Sequence, residues 1–304
     1  MKAITTEIEG GGGIGLRERL ACYAELTKPR IAFLLVLTAA AGFYMAPSTG
    51  PADLVLFTHS MLGISLLAFG VAALNQFVER ETDRHMERTA SRPLPAGRIS
   101  ARGAFLFGLG LSLGAEIYLL MFVNILTAVL GLVVIVGYVL MYTPLKVRTS
   151  ASTAIGAVPG AMPPLMGWTS ANDNASDLTG ALILFLILFL WQFPHFLAIA
   201  TMYREDYAKA GIKMLPAMEE DGRITARQIV LFTVLLIPIS LAPFFFGMAG
   251  IYFSVAAVVL GGWFLISSLK AASQRTVGAS RKLLLVSVLY LPLLFLMMVI
   301  DKQD

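Results

Sequence analysis

Residues 54–77 read LVLFTHSMLGISLLAFGVAALNQF, and residues 78–83 continue VERETD. The first stretch holds no Asp, Glu, Lys or Arg. At 1.5 Å per residue a helix of that length crosses the roughly 30 Å of a bilayer's hydrocarbon core. The run is continuous and not alternating, which reads as helix and not as a barrel strand. Eight further apolar runs lie to either side, at 31–46, 103–121, 124–142, 153–169, 180–200, 228–247, 251–269 and 283–300. The run at 153–169 is short and carries Pro159, Pro163 and Pro164, so it is expected to be broken, which a membrane tolerates only inside a bundle.

Composition agrees. Hydrophobic residues make up 57% of the 304 residues and charged residues 14%, with a mean hydropathy of +0.78; an ordinary soluble domain is about 25% charged. So few charges cannot cover so much apolar surface in water. This excludes a soluble enzyme, a disordered chain and a nucleic-acid binder, despite the net charge of +4. The single cysteine, Cys22, excludes an internal disulfide and a thiolate metal cluster.

The basic residues then set the topology. Of 23 Lys and Arg, 22 fall in the N-terminal segment and in every second connection, and only Lys302 falls on the other side. A wrong span count would scramble that alternation. The expected fold is all-α: a polytopic membrane protein of nine transmembrane helices, N-terminus cytoplasmic and C-terminus outside. Residues 1–25, with Gly10–Gly13, read as a flexible cytoplasmic leader. Residues 26–304 read as a single domain whose long inner loops are 78–102 and 201–227.

Polar chemistry gathers on that inner face. Asn75, Glu79 and Asp83 stand at i, i+4 and i+8 at the end of the second run, one stripe of oxygen donors that suits a hard cation. Arg80, Arg84, Arg88 and Arg92 follow at the same period and suit a phosphate chain. The spacing equally suits a helix end laced with acid–base pairs, Glu79 with Arg84 or Asp83 with Arg80. Depth favours function, because Asn75 and Glu79 begin while the run is still apolar. After the sixth run, Glu205 and Asp206 reach the same face. Two acidic clusters with arginines around them are an arrangement that binds a diphosphate through Mg²⁺. His195, within the sixth run, is on physical grounds more often a packing residue; the alternatives are a proton acceptor or a ligand to a metal centre.

Several stretches then carry a family resemblance. They are Leu26-Thr-Lys28-Pro-Arg30, Asn75-xxx-Glu79-xxx-Asp83, Arg88-Thr-x-x-Arg92-Pro-Leu-Pro-x-Gly97-Arg98 and Tyr142-Thr143 with Lys146. Others are Gly160-Ala-x-Pro-Pro-Leu-x-Gly167-Trp168, Trp191-Gln-x-Pro-His195-Phe and Asp206-Tyr-Ala-Lys-Ala-Gly211. Across residues 26–300 the chain resembles the intramembrane aromatic prenyltransferases (UbiA-type), and within them the haem-farnesylating branch. The resemblance implies farnesyl diphosphate and protohaem IX as substrates, Mg²⁺ as cofactor, haem-oxidase biogenesis proteins as partners, and a bacterial inner membrane with the active site on its cytoplasmic side. It implies that Asn75, Glu79, Asp83 and Asp206, with Glu205, hold Mg²⁺–diphosphate. Arg30, Arg88, Arg92, Lys146 and Arg204 would bind diphosphate oxygens. His195 would serve the haem, as an axial ligand or as a base for water. Two rivals stay open: a prenyltransferase acting on a quinone-precursor aromatic acid, and a membrane transporter, against which stand an odd number of spans and acids clustered at one face.

Overall fold

The structure, a computed structural model, describes residues 15–47, 53–172 and 177–303. The regular structure of those residues is all helical, with one isolated bridge between Ala249 and Lys302. The order is α1 (Leu16–Leu26), α2 (Pro29–Met45), α3 (Leu54–Asp83), α4 (Ala101–Phe122) and α5 (Ile125–Ile135). A π-helical stretch (Val136–Tyr142) leads into the single turn α6 (Thr143–Leu145), followed by α7 (Ser152–Gly160), α8 (Met162–Ala171) and α9 (Thr179–Met202). Then come α10 (Arg204–Lys209), α11 (Leu215–Met218), α12 (Arg223–Phe245), α13 (Ile251–Gln274) and α14 (Val277–Ile300).

Local sequence sets the helix starts. Asp53 accepts from the amides of Val55 and Leu56, Ser100 from Gly103, Asn124 from Thr127 and Thr276 from Ala279. Each side chain satisfies a donor that has no partner within its helix. Large apolar side chains such as Phe245, Tyr252, Leu296 and Ile300 face outward, as a lipid-contacting surface requires. Polar contacts cross between buried helix faces, among them Thr233 to Ser268 at 2.8 Å and Ser240 to Tyr290 at 2.7 Å.

Among the described residues, seven helices are long and apolar enough to cross a bilayer. The α1–α2 pair, bent by 45°, makes an eighth if it counts as one span. The bend falls at Lys28, whose φ of 48° is left-handed. Pro29 causes it, since a proline pushes the preceding residue out of the right-handed helical region. The run at 153–169 is broken at Ala161 into α7 and α8, each too short to span alone. Ala161 and residues Met162 to Ser170 are all buried, so the break itself is covered by protein. Its packing against α2 is backbone to backbone: a Cβ on Gly42 would lie 2.0 Å from the Pro164 carbonyl oxygen, and one on Gly167 1.8 Å from that of Ala39.

The N-terminal segment differs from the leader expected there. Residues 1–14 lie outside the described residues, but Leu16–Leu26 is helix. Cys22 and Leu26 are buried with Ala73, Leu94 and Ile99, and Gln76 donates to the Glu25 and Leu26 carbonyls at the end of α1. The apolar side of α1 is only a few residues wide, too little to register as a hydrophobic run.

Candidate active site

The end of α3 presents Asn75, Glu79 and Asp83 on one stripe, and each meets a cation. Asn75 is buried; its Oδ1 accepts from Lys28 Nζ at 2.9 Å, and its Nδ2 donates to Thr143 Oγ1 at 3.1 Å. Glu79 Oε1 accepts from Lys146 Nζ at 2.5 Å. Asp83, 1% exposed, holds Arg92 Nη1 at 2.6 Å. Lys146 lies just past the span that ends at Leu145. Burial alone would pull its ammonium down, but the Glu79 carboxylate, together with Tyr142 and Tyr138 beside it, holds it well above the ordinary lysine range. The Lys146 ammonium also sits 4.5 Å above the Tyr142 ring, which the π-helical stretch presents together with Tyr138.

The acid–base lacing weighed from the sequence is present too, but around a different acid. Arg80 and Arg84 both pair with Glu81, and Arg80 donates to the Phe77 carbonyl. Arg88 is exposed, its guanidinium 5.0 Å above the Tyr203 ring. Arg30 is exposed at the start of α2. Arg204 turns to the 219–220 loop, where it donates to the carbonyls of Glu219 and Glu220.

The loops 78–102 and 201–227 meet. Met86 packs with Ala200, Ile212 and Met214, and Lys209 lies 3.7 Å from Glu87. This brings α10, which carries Glu205 and Asp206, against the loop that follows Asp83. Glu205 is exposed and Asp206 half-buried, and neither carboxylate has a hydrogen bond or ion pair among the described residues.

A cavity of about 330 Å³ opens from this polar end. Lys28 and Asn75 line its charged end, followed by Tyr138 and Tyr142. Its walls are apolar, with Leu67, Val71 and Phe295 among them, and Trp191 and His195 also face it. The shape suits a long hydrocarbon whose head remains among charges. The His195 ring stacks on Trp191 with centroids 4.4 Å apart, and its Nδ1 lies 2.8 Å from Ser287 Oγ.

The donors of the α3 stripe are all oxygens, the class Mg²⁺ prefers. Among the described residues no three His, Cys, Asp or Glu side chains converge tightly enough to hold a metal ion by themselves. Mg²⁺ commonly takes one or two protein carboxylates and completes its shell with water and phosphate oxygens. These residues therefore fit a metal that arrives with a diphosphate, with Lys28, Lys146 and Arg92 beside the carboxylates to take the anion's remaining charge.

Sequence reasoning placed Lys28 in a matching stretch but gave Arg30 the binding role, and it gave Thr143 none. The signal for Lys28 was its position immediately before a proline at the foot of an apolar run. Ser287 had no signal at all.

Comparison with known proteins gives a consistent result. The UbiA prenyltransferase family matches residues 35–297. A protoheme IX farnesyltransferase of Solibacter usitatus (strain Ellin6076) is 47% identical over 288 residues, covering 92% of this chain and 98% of the relative. A solved structure of digeranylgeranylglyceryl phosphate synthase in membranes superposes with a TM-score of 0.77 at 18% identity, covering 93% of this chain and 98% of that one. A UbiA homologue from Archaeoglobus fulgidus bound to DMAPP and Mg²⁺ gives 0.63 at 15% identity, covering 91% and 98%.

Proposed function

The chain belongs to the UbiA prenyltransferase family, and from that premise we propose that it transfers the farnesyl group of farnesyl diphosphate to a vinyl group of protohaem IX, giving haem O and diphosphate. The observation that carries this reading is the single cavity that begins at Lys28 and Asn75 and also holds His195. The identity of 47% to a protoheme IX farnesyltransferase across nearly the whole of both chains supports the choice of acceptor.

The residues divide the work. Asn75, Glu79, Asp83 and Asp206, with Glu205 at the rim, hold Mg²⁺–diphosphate; the Archaeoglobus homologue with DMAPP and Mg²⁺ supports that cofactor. When bound, Mg²⁺ supplies charge that stabilises the departing diphosphate. Lys28, Lys146 and Arg92 bind phosphate oxygens at the buried end of the site, with Arg30 and Arg88 further out. Apolar walls exclude water from the allylic carbon as its C–O bond breaks. The haem vinyl carbon forms the new C–C bond, water adds to the cation left on the acceptor, and one proton is released. His195 serves the haem side.

Residues 26–304 act as one domain that crosses the membrane nine times: seven long helices, the bent α1–α2 pair, and α7 with α8 in series. With 22 of 23 basic residues on one side, the N-terminus and active site face the cytoplasm of the inner membrane and the C-terminus lies outside. The hydroxyethylfarnesyl product passes to haem-oxidase biogenesis proteins.

Membranes carrying the chain are to be supplied with farnesyl diphosphate, Mg²⁺ and either protohaem IX or 4-hydroxybenzoate. Haem O is the expected product from the first mixture, with no prenylated acid from the second. Prenylation of the acid alone would transfer the enzyme to the quinone branch.

A further inference from the structure

Ser287, fully buried on α14, holds two side chains of α9 at once. Its backbone carbonyl accepts the indole N–H of Trp191 at 2.8 Å, and its hydroxyl stands 2.8 Å from Nδ1 of His195. Trp191 and His195 are four residues apart, so one helical face delivers both rings to the same point. The hydroxyl has only one proton, and the Leu284 carbonyl, which can only accept, stands 2.7 Å from Oγ to take it. With the proton there, the oxygen accepts from His195, an arrangement that puts the ring's proton on Nδ1. A neutral imidazole protonated at Nδ1 keeps its lone pair on Nε2. Nε2 has no hydrogen-bond partner among the described residues, and His195 lines the cavity.

We infer that Ser287 is a positioning residue that fixes His195 as the Nδ1–H tautomer and so presents the Nε2 lone pair to the iron of the haem substrate. The identity of the metal centre rests on the functional reading above; the tautomer does not. A histidine that ligates a metal generally donates its other N–H to an oxygen, which fixes the ring's orientation and raises its basicity. Here the clamp has two separable parts. The bond from Trp191 goes to the backbone and survives any side-chain change at 287, so substitution releases one ring while the other stays held.

The full-length chain, labelled with ¹⁵N-histidine in lipid nanodiscs, reports the tautomer with no substrate present. Of its three histidines, His195 is identified by the signal lost in His195→Ala. The wild type is expected to carry the proton on Nδ1, and Ser287→Ala to show a mixture of both forms. A wild-type proton on Nε2 overturns the inference. Titration with protohaem reads the consequence. Ser287→Ala is expected to weaken haem binding by about tenfold, the lower end of what losing such a supporting oxygen costs. It also shifts the visible absorption of the bound haem and leaves farnesyl diphosphate affinity unchanged. Ser287→Thr, which keeps the oxygen, restores both. Wild-type haem affinity and absorption in Ser287→Ala, or a Thr variant as poor as the Ala one, overturns the positioning role. Failure of the wild type to make farnesylated haem while showing the Nδ1–H form counts against the functional reading alone.

Discussion

The two acidic clusters look alike as sequence and differ as structure. On α3, Asn75, Glu79 and Asp83 lie at the C-terminal end of a helix long enough to span a membrane, each oxygen held by a cation 2.5–2.9 Å away. On α10, Glu205 and Asp206 sit at the surface with no such partner among the described residues. The first cluster is a prebuilt seat in which two carboxylates and an amide already face three cations. The second is carried on a short helix that packs against the loop following Asp83. A bound metal–diphosphate would thus be gripped deeply on one side and closed over on the other.

Substitution at the two clusters breaks or sharpens that contrast. Asp83→Ala is expected to abolish turnover, a loss of at least about 10³-fold in kcat, beyond what one stabilising donor usually supplies. It also strips Arg92 of its partner. A fully buried pair broken in this way costs about 3–5 kcal/mol, and the 21% exposure of Arg92 reduces that to about 2 kcal/mol, visible as a lower unfolding midpoint of a protein that still inserts. Asp206→Ala is expected to abolish turnover as well but to leave the midpoint unchanged. Near-normal activity in either variant would remove that residue from the metal site, and equal thermal losses in both would erase the distinction between them.

Lys146→Met comes next, with diphosphate affinity expected to fall about 10- to 100-fold, equivalent to about 1.4–2.8 kcal/mol. Its pH dependence follows from the ion pair. The folded-state pKa of Lys146 is raised, so the stabilisation from its pairing with Glu79 is complete below the ordinary value of 10.5 and drains away only as pH climbs through the higher folded value. The difference in unfolding midpoint between wild type and Lys146→Met is therefore expected to stay flat from about pH 6 to about pH 10; a decline within that window would contradict the pairing. The smallest effect is expected from Arg204→Ala. This arginine is committed to the backbone carbonyls of residues 219 and 220, so the Michaelis constant for farnesyl diphosphate should move less than about twofold, as for an exposed residue outside the site.

Much of this was legible beforehand, for identifiable reasons. The long apolar runs mark the membrane-crossing helices because a span needs about 20 apolar residues, and the α3 stripe shows itself because helical spacing brings i, i+4 and i+8 into line. Proline density in 153–169 foretold the break at Ala161. What stayed hidden depends on contacts between distant segments. Lys28 reaches Asn75, 47 positions on, only because the chain bends in front of Pro29. Ser287 meets His195 across 92 positions and sits in an apolar helix where a lone serine means nothing locally. The resemblance gives Arg204 to the anion, whereas its side chain donates to the carbonyls of Glu219 and Glu220, 15 and 16 positions on. Short-range spacing reveals which residues share a face; it is silent on which faces meet.

The contact of α2 with α8 at Gly42 and Gly167 has a mechanical corollary. With main-chain atoms touching on both helices, neither can slide or rotate on the other without collision, so the two behave as one plank. Any breathing that admits a macrocycle as wide as a porphyrin is then left to the other walls of the cavity, where Leu67 of α3, Tyr138 of the π-helical stretch and Phe295 of α14 meet it through side chains. One of those walls also carries Ser287, so the helix that aims the imidazole borders the space a macrocycle would enter.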